Sequence, residues 1–187
     1  HAFMEATSKF TQKIKVINSK QNSGAEGLLV LKAAELIALD LPFDDVVKQL
    51  EDLTAKTKIL VSVKTLKYMV RSGRVSKVTG VIGKLLNLKP VVSIDEEGQG
   101  IIFAKGLSLS SSNQKIRQHI EKVHQTYGIE RYAIVHANAK DRADDYEAVY
   151  TKLLGMKPSY VMDISTVVAM SAGIGTVAIA YIRKDQS

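Results

Sequence analysis

Short apolar runs alternate with helical patterns along most of this 187-residue chain, and that alternation limits the possible folds more than any other feature. The runs are rich in β-branched residues, as strands are, whereas the segments between them repeat apolar residues at helical spacing. The predicted strands are 13–17, 58–63, 91–95, 101–105, 131–136, 160–164 and 176–182. A turn at Gly98 joins the third and fourth of these strands into a predicted hairpin. Strands that alternate with helices are typical of α/β layers, so the chain is expected to be an α/β protein.

The helical segments carry their own boundary signals. The predicted helices are the end of one at 2–10, then 25–39, one that begins at Pro42, one that ends at Gly128, and 141–154. Ser112 or Asn113 is the expected cap of the helix that ends at Gly128, because each side chain can accept a hydrogen bond from a free N–H group. Asn138 is the expected cap of the helix after it. Residues 165–175 are mostly small, so that segment is predicted to be a loop or a short element.

The stretch Val63–Pro90 holds two short helical patterns in succession. The first is amphipathic, and Gly73 can end it because glycine adopts a left-handed conformation easily. The second begins at Arg74 and contains Gly80 and Gly83, each of which costs about 1 kcal/mol relative to alanine inside a helix. That cost is consistent with a group that approaches the backbone closely. The ordinary alternative is a helical hairpin packed on the sheet.

The composition argues against several classes of function. The chain has no cysteine, so it has no disulfide and no thiolate metal site. No segment has the roughly 20 apolar residues that cross a bilayer, so no membrane span is expected. The formal charge of +7 raises the question of nucleic acid, but the basic residues are scattered and only 6% of the residues are aromatic. The sequence therefore predicts no nucleic-acid partner, and the lack of cysteine is compatible with a cytoplasmic protein.

No arrangement of residues predicts catalysis or a metal site. The histidines are His1, His119, His124 and His136, and their spacing serves neither a nucleophile nor a metal ion. His119 and His124 share a predicted helix but not a face of it, and both are expected to be exposed. His136 ends a buried strand, where a satisfied side chain is preferred to a catalytic role. The G-I-G at 173–175 is too short for a dinucleotide fingerprint, and a strand follows it. The chain is therefore predicted not to be an enzyme and to need no cofactor.

Taken together, the residues of Val63–Pro90 form a more specific pattern. In one-letter code, T-L-x-Y-x-x-x-S-G-R-V-S is followed by G-x-L-L-N-L-K-P. This pattern resembles the signature of the DegV family, and the likeness runs from Lys15 to Tyr181. The resemblance implies a bacterial, non-enzymatic α/β protein that holds a long-chain fatty acid in an apolar tunnel between two domains. Residues 1–57 would then be the C-terminal part of an N-terminal α/β/α domain, and 58–187 a C-terminal domain with a mixed sheet flanked by helices.

The resemblance also implies which residues line the tunnel. The helix after Gly73 would lie along the acyl tail, where each buried methylene contributes about 0.8 kcal/mol. Residues 163–181 resemble the family's closing motif, in which a histidine contacts the lipid carboxylate and aligns with Ser171. The predicted lipid-binding residues are Arg74, Ser76, Gly80, Ile82, Gly83, Leu86, Thr166, Ser171 and Gly173.

Several departures from the family pattern affect the carboxylate end of the tunnel. Ser171 stands in place of the histidine, and Thr166 replaces a proline of the same motif. Leu107 stands where the family has an arginine implicated in presenting the carboxylate to a partner kinase. The S-G-T-Y-type loop, whose hydroxyls hold the carboxylate, is expected just before Ala2, so the chain is expected to be a fragment. The resemblance implies a fatty acid kinase as a partner, whereas Leu107 and Ser171 argue against it.

Two other hypotheses stand beside fatty acid binding. Leu107 and Ser171 also fit a diverged DegV-like domain that serves protein interaction or regulation without lipid. An enzyme acting on a phosphorylated or acyl substrate is the third hypothesis, and the residues give it little support.

Overall fold

Helices and strands alternate in the computed structural model, which describes residues 11–74 and 88–185. The helices are α1 (Ser23–Ala38), α2 (Phe43–Thr54), α3 (Lys67–Arg71), α4 (Leu109–Tyr127), α5 (Lys140–Leu154) and α6 (Thr166–Ala172). The strands are β1 (Thr57–Ser62), β2 (Val91–Ile94), β3 (Gly100–Ala104), β4 (Ile129–His136), β5 (Val161–Asp163) and β6 (Val177–Arg183). The predicted α/β class is therefore confirmed.

The strands form one six-stranded sheet in the order β3-β2-β1-β6-β4-β5. Only β4 and β5 pair in parallel, and the other neighbours are antiparallel, so the sheet is mixed as predicted. The hairpin of β2 and β3 closes through Asp95, whose Oδ1 atom accepts hydrogen bonds from the N–H groups of Glu97 (3.1 Å) and Gln99 (2.7 Å). Asp95 thereby supplies the turn that the sequence predicts before Gly98.

Successive residues of a strand point to opposite faces of a sheet, so the apolar runs supply two cores. On the first face, Leu60 of β1 packs in a cluster with residues of α4 and α5, among them Ile120 and Tyr150. On the second face, Ile59 packs in a cluster with Leu28 of α1. A smaller cluster on that same side joins α3 to α6, with Leu66, Met69, Val92 and Ala172 as members. The sheet is thus buried between helices on both faces.

Residues 13–17 form no strand, so that prediction is wrong. Their side chains are mostly exposed, and their backbone pairs with none of the six described strands. An alternating pattern shows that a segment could be a strand, but a strand also needs a partner with free hydrogen-bonding groups.

Both predicted helix caps are wrong as well. Helix α4 begins one turn earlier than its apolar pattern, at a capping box in which Ser108 and Ser111 exchange side-chain and backbone hydrogen bonds of 3.1 and 3.2 Å. Ser112 is buried, and its hydroxyl donates to the Lys89 carbonyl. The N-cap of α5 is Ala139, and the backbone N–H of Asn138 donates to the Asp163 carboxylate at 2.9 Å.

Two other expectations concern segments beyond these elements. The predicted helix at 2–10 and the second helix of Val63–Pro90 lie outside the described residues. The division into two domains, 1–57 and 58–187, stays a prediction. Helices α1 and α2 of the first segment pack on the sheet of the second segment. Within 11–74 and 88–185, no helix is both long and apolar enough to cross a membrane.

Candidate functional site

A cavity of about 480 Å³ lies over the second face of the sheet, beside the N-terminus of α1. Its floor is one row of side chains from four neighbouring strands, because Val61 pairs with Val92 and Ala178, and Ala178 pairs with Val135. Ile59 and Ile94 extend the floor towards the β2–β3 turn. The small side chain of Ala178 lies between Val61 and Val135, and this row of the floor is apolar.

Helix α6 forms one wall of the cavity through Val167, Val168 and Ser171. The helix begins after Ser165, whose Oγ atom accepts a hydrogen bond from the Val168 N–H at 3.5 Å. Thr166 is exposed and does not line the cavity. The structure describes four of the predicted site residues in full, and two of these belong to α6. Of those two, Ser171 lines the cavity and Thr166 does not.

Gly173 follows α6, and Tyr68 of helix α3 packs against it. The φ angle of Gly173 is +84°, and a Cβ atom added there would lie 2.5 Å from Cδ2 of Tyr68 on α3. At Gly175, an added Cβ atom would overlap the amine end of Lys64. The G-I-G segment thus holds the α3 region close to α6, and Gly173 is not among the residues that line the cavity.

Arg74 reaches the cavity because of the way α3 ends. The Gly73 N–H donates to the Val70 carbonyl (3.1 Å) and the Arg74 N–H to the Met69 carbonyl (2.9 Å), which is the Schellman pattern. Gly73 has a φ angle of +68°, so its predicted left-handed conformation is confirmed. Among the described lining residues, Arg74 is the one cation, and no described carboxylate forms an ion pair with it.

Two other polar side chains at the cavity donate their hydrogen bonds to backbone carbonyl groups of the protein. The Ser93 hydroxyl donates to the Ile59 carbonyl at 2.7 Å, and the Thr176 hydroxyl donates to the Ala172 carbonyl at 2.8 Å. The described residues offer the Ser171 hydroxyl no such partner. The structure therefore brings Arg74 and Ser171, which are far apart in sequence, to the same apolar cavity.

The other predicted site residues are not located. Ser76, Gly80, Ile82, Gly83 and Leu86 lie outside the described residues. For every residue of the predicted set, contact with a ligand stays a prediction.

Sequence reasoning missed the cavity floor and the residues Asn22 and Ser23 beside it. The signal was present in β1 and β2, where Ile59 and Val61, and Val92 and Ile94, occur at alternate positions. The opposite faces of these strands also carry buried apolar residues, Leu60 and Val91, so periodicity alone could not show which set is covered by a helix and which borders an open space.

His136 and His119 each contact a polar side chain of the fold. His136 is 6% exposed at the end of β4, and its Nδ1 atom lies 2.9 Å from Oδ1 of Asp163 on β5, as expected for a satisfied side chain. His119 was expected to be exposed but is half-buried, with Nε2 2.9 Å from the Tyr181 hydroxyl. Nowhere in 11–74 and 88–185 do three histidine, aspartate or glutamate side chains come close enough to hold a metal ion.

Known proteins are similar to this chain in sequence and in fold. A DegV domain-containing protein of Clostridium acetobutylicum is 26% identical over 172 residues, which make up 90% of this chain and 60% of that protein. A fatty acid binding DegV family protein from Streptococcus agalactiae has a crystal structure that matches with a TM-score of 0.79 and 26% identity, covering 98% of this chain and 64% of that one. A Thermus thermophilus DegV family protein, whose structure concerns fatty acid binding, matches with a TM-score of 0.77 and 25% identity, covering 95% and 64%.

These relatives are longer than the present chain, which spans about 60% of the length of the curated proteins it matches. The match is nevertheless continuous, because the model of the DegV family of uncharacterised proteins covers residues 2–184. The fold also matches that of the two solved structures, with TM-scores of 0.79 and 0.77. The chain therefore belongs to the DegV family.

Proposed function

We propose that this chain forms part of a binding site for a long-chain fatty acid and performs no catalytic step. The observation that carries the proposal is the cavity over the sheet, whose floor is apolar across four strands and whose edge holds Arg74. Ligand cavities have volumes of about 300–1,000 Å³ and combine apolar walls with a few polar groups, as this one does. The fatty acid binding relative from Streptococcus agalactiae supports the choice of ligand.

The two ends of a fatty acid fit different parts of the cavity. Each methylene that leaves water contributes about 0.8 kcal/mol, so the valine and isoleucine floor favours the acyl chain. Arg74 can donate charge-assisted hydrogen bonds to a carboxylate, and the Ser171 hydroxyl can donate another. No cofactor is proposed beside the fatty acid.

The proposal includes the domain arrangement. Residues 1–57 would belong to an N-terminal domain and 58–187 to a C-terminal domain, with the acyl chain between the domains. The relatives' greater length is consistent with further walls and carboxylate ligands supplied from outside this chain.

Binding a fatty acid and presenting it to a partner kinase are separate functions. Leu107 is 83% exposed, so any residue at this position is accessible to another protein, but leucine offers no charge for a carboxylate or phosphate. Fatty acid binding does not depend on Leu107, which does not line the cavity. We therefore propose lipid binding without proposing that the lipid is passed to a kinase.

Native mass spectrometry of the delipidated full chain with added palmitate or oleate tests the proposed function. A one-to-one complex is expected, and Ala178→Leu should weaken it because the larger side chain fills the centre of the floor. Ala148→Leu, the same change at an exposed position of α5, is the control and should bind as the unmodified chain does. Arg74→Gln should weaken binding by roughly tenfold to a hundredfold, the range expected for a charged hydrogen bond.

Two results would contradict the proposal. One is the absence of any complex between the unmodified chain and either fatty acid. The other is a complex that Ala178→Leu leaves unchanged while circular dichroism shows that the variant is folded, because the ligand would then lie elsewhere.

A further inference from the structure

The segment that joins α6 to β6 has few side chains of its own to hold it in place. Ile174 is 68% exposed, and Gly175 has a φ angle of +84° and no side chain. Thr176, the next residue, lines the cavity and donates its hydroxyl proton to the Ala172 carbonyl at the end of α6, at 2.8 Å. The position of Gly175 therefore determines how α6 lies against the cavity floor.

Arg142, in the first turn of α5, supplies a side-chain anchor for Gly175. Its guanidinium donates through Nη1 to the Gly175 carbonyl and through Nη2 to the Ser62 hydroxyl, the latter at 3.1 Å. On the backbone side, the Gly175 N–H donates to the Ala137 carbonyl at 2.7 Å. No described carboxylate forms an ion pair with Arg142, so its charge strengthens hydrogen bonds to two neutral oxygen atoms.

A buried polar network orients the guanidinium of Arg142. Ser62 is fully buried, and its hydroxyl donates to Oδ1 of Asn113 on α4 at 2.9 Å. The Tyr146 hydroxyl, one helical turn after Arg142, donates to the same oxygen atom at 2.8 Å. Burial raises the pKa of Tyr146 to about 12, so this hydroxyl keeps its proton at neutral pH. Because the Ser62 proton is directed at Asn113, the Ser62 oxygen atom is free to accept from Arg142.

We infer that Arg142 is a positioning residue for the fatty acid site, although it belongs to a helix on the other face of the sheet and does not line the cavity. It holds Gly175, and through Thr176 and α6 it holds the Ser171 hydroxyl at the cavity wall. The inference rests on the proposed function and adds a residue on which binding depends without contact with the ligand.

The affinity of the delipidated full chain for palmitate, measured by isothermal titration calorimetry, tests this inference. Arg142→Met removes the guanidinium and should weaken binding by about twofold to tenfold, the range expected for one lost hydrogen bond. Ser62→Ala removes the hydroxyl that orients Arg142 and should also weaken binding. Lys152→Met removes the same charge from an exposed position of α5, so this control should bind palmitate as the unmodified chain does.

Two further measurements separate positioning from a general loss of stability. In a double-mutant cycle, Ser171→Ala should weaken binding less in the Arg142→Met background than in the unmodified chain, because the hydroxyl is no longer held at the wall. Hydrogen exchange of the ligand-free chain, followed by mass spectrometry, should increase more in Arg142→Met for the amides of 166–176 than for those of α1. A general loss of stability would leave the two effects on affinity additive and would not favour 166–176.

Palmitate binding that Arg142→Met and Ser62→Ala leave unchanged would overturn the inference, while the proposed function would stand. Additive effects of Arg142→Met and Ser171→Ala would overturn it too, as would exchange at 166–176 that rises no more than exchange in α1. If circular dichroism shows that Arg142→Met does not fold, Ser62→Ala exchanges one small side chain for another and provides the same comparisons. If the unmodified chain binds no fatty acid, the proposed function fails and the role of Arg142 in binding fails with it.

Discussion

His119 on α4 lies among groups that oppose its protonation. Its Nε2 atom is 2.9 Å from the Tyr181 hydroxyl, and its ring meets Phe103 edge-on at a centroid distance of 4.8 Å. Burial lowers the pKa of His119 below its ordinary value of 6.5, and the nearby cations Lys58 and Lys122 lower it further. The unfolded chain therefore takes up this proton at a higher pH than the folded chain does.

This difference predicts a loss of stability in mild acid. As the pH falls from the unfolded pKa of 6.5 towards the lower folded pKa, the unfolded state binds more protons, and the free energy of unfolding decreases. Replacing the imidazole in His119→Gln should remove this contribution. Urea unfolding at about pH 7.5 and about pH 5.5 measures it, with a smaller change expected for the variant than for the unmodified chain. Equal changes in both proteins would show that His119 does not contribute.

Single residues show what a sequence can and cannot locate. The resemblance to the DegV family selected Arg74 and Ser171, but their common cavity depends on the Schellman turn after α3 and on the packing of α6. The five-residue offset of His119 and His124 shows that the two side chains point in different directions. It could not show that Tyr181, from the far end of the chain, would lie against one of them.

Helix α1 contacts Tyr160 through a glycine. A Cβ atom added at Gly27 would overlap the Tyr160 hydroxyl, which donates to the Gly24 carbonyl at 2.7 Å. Gly→Ala inside a helix normally stabilises by about 1 kcal/mol. Overpacking costs about 1–3 kcal/mol, and loss of the hydrogen bond adds about 1 kcal/mol. Gly27→Ala is therefore expected to lower the free energy of unfolding, by about 1–3 kcal/mol in urea titrations.

The Tyr160→Phe change supplies the matching control for Gly27→Ala. It removes the oxygen atom that an added Cβ would meet, so the effect of Gly27→Ala should be smaller in the Tyr160→Phe background. A double-mutant cycle measures this difference as a coupling free energy between the two positions. Additive effects, or an increase in stability from Gly27→Ala alone, would mean that α1 and Tyr160 are not in close contact.

Elements with strong local signals were predictable, and those that depend on distant partners were not. The β2–β3 hairpin has a short apolar run on each side of a turn, and α5 has a helical period that ends at Gly155. The segment 13–17 has a strand pattern but no partner strand. Helix α6 lies where a loop or short element was predicted, and its stability comes from the Ser165 cap and from Ala172, which packs with residues of α3 and β2. A seven-residue helix is too short for its own pattern to indicate such packing.

At the scale of the whole molecule, one core joins the two predicted segments. Leu28 of α1 and Leu53 of α2 belong to the same buried cluster as Ile59 and Ala180 of the sheet. The Arg131 guanidinium on β4 also pairs with Glu35 on α1, at 2.7 and 2.8 Å. Exposing the second face of the sheet would require the loss of these contacts, so the helices of 1–57 and the sheet of 58–187 are expected to unfold together.

Single tryptophan probes can test this cooperativity, because the chain contains no tryptophan of its own. Phe43→Trp, at a position that is 41% exposed, reports on α2, and Tyr127→Trp reports on α4 at the opposite face of the sheet. In a two-state transition both probes change at the same urea concentration and with the same slope. Far-UV circular dichroism of each variant provides the reference transition for the whole fold. A lower midpoint at Phe43→Trp alone would instead show that 1–57 unfolds as a separate unit and that the shared core does not couple it to the sheet.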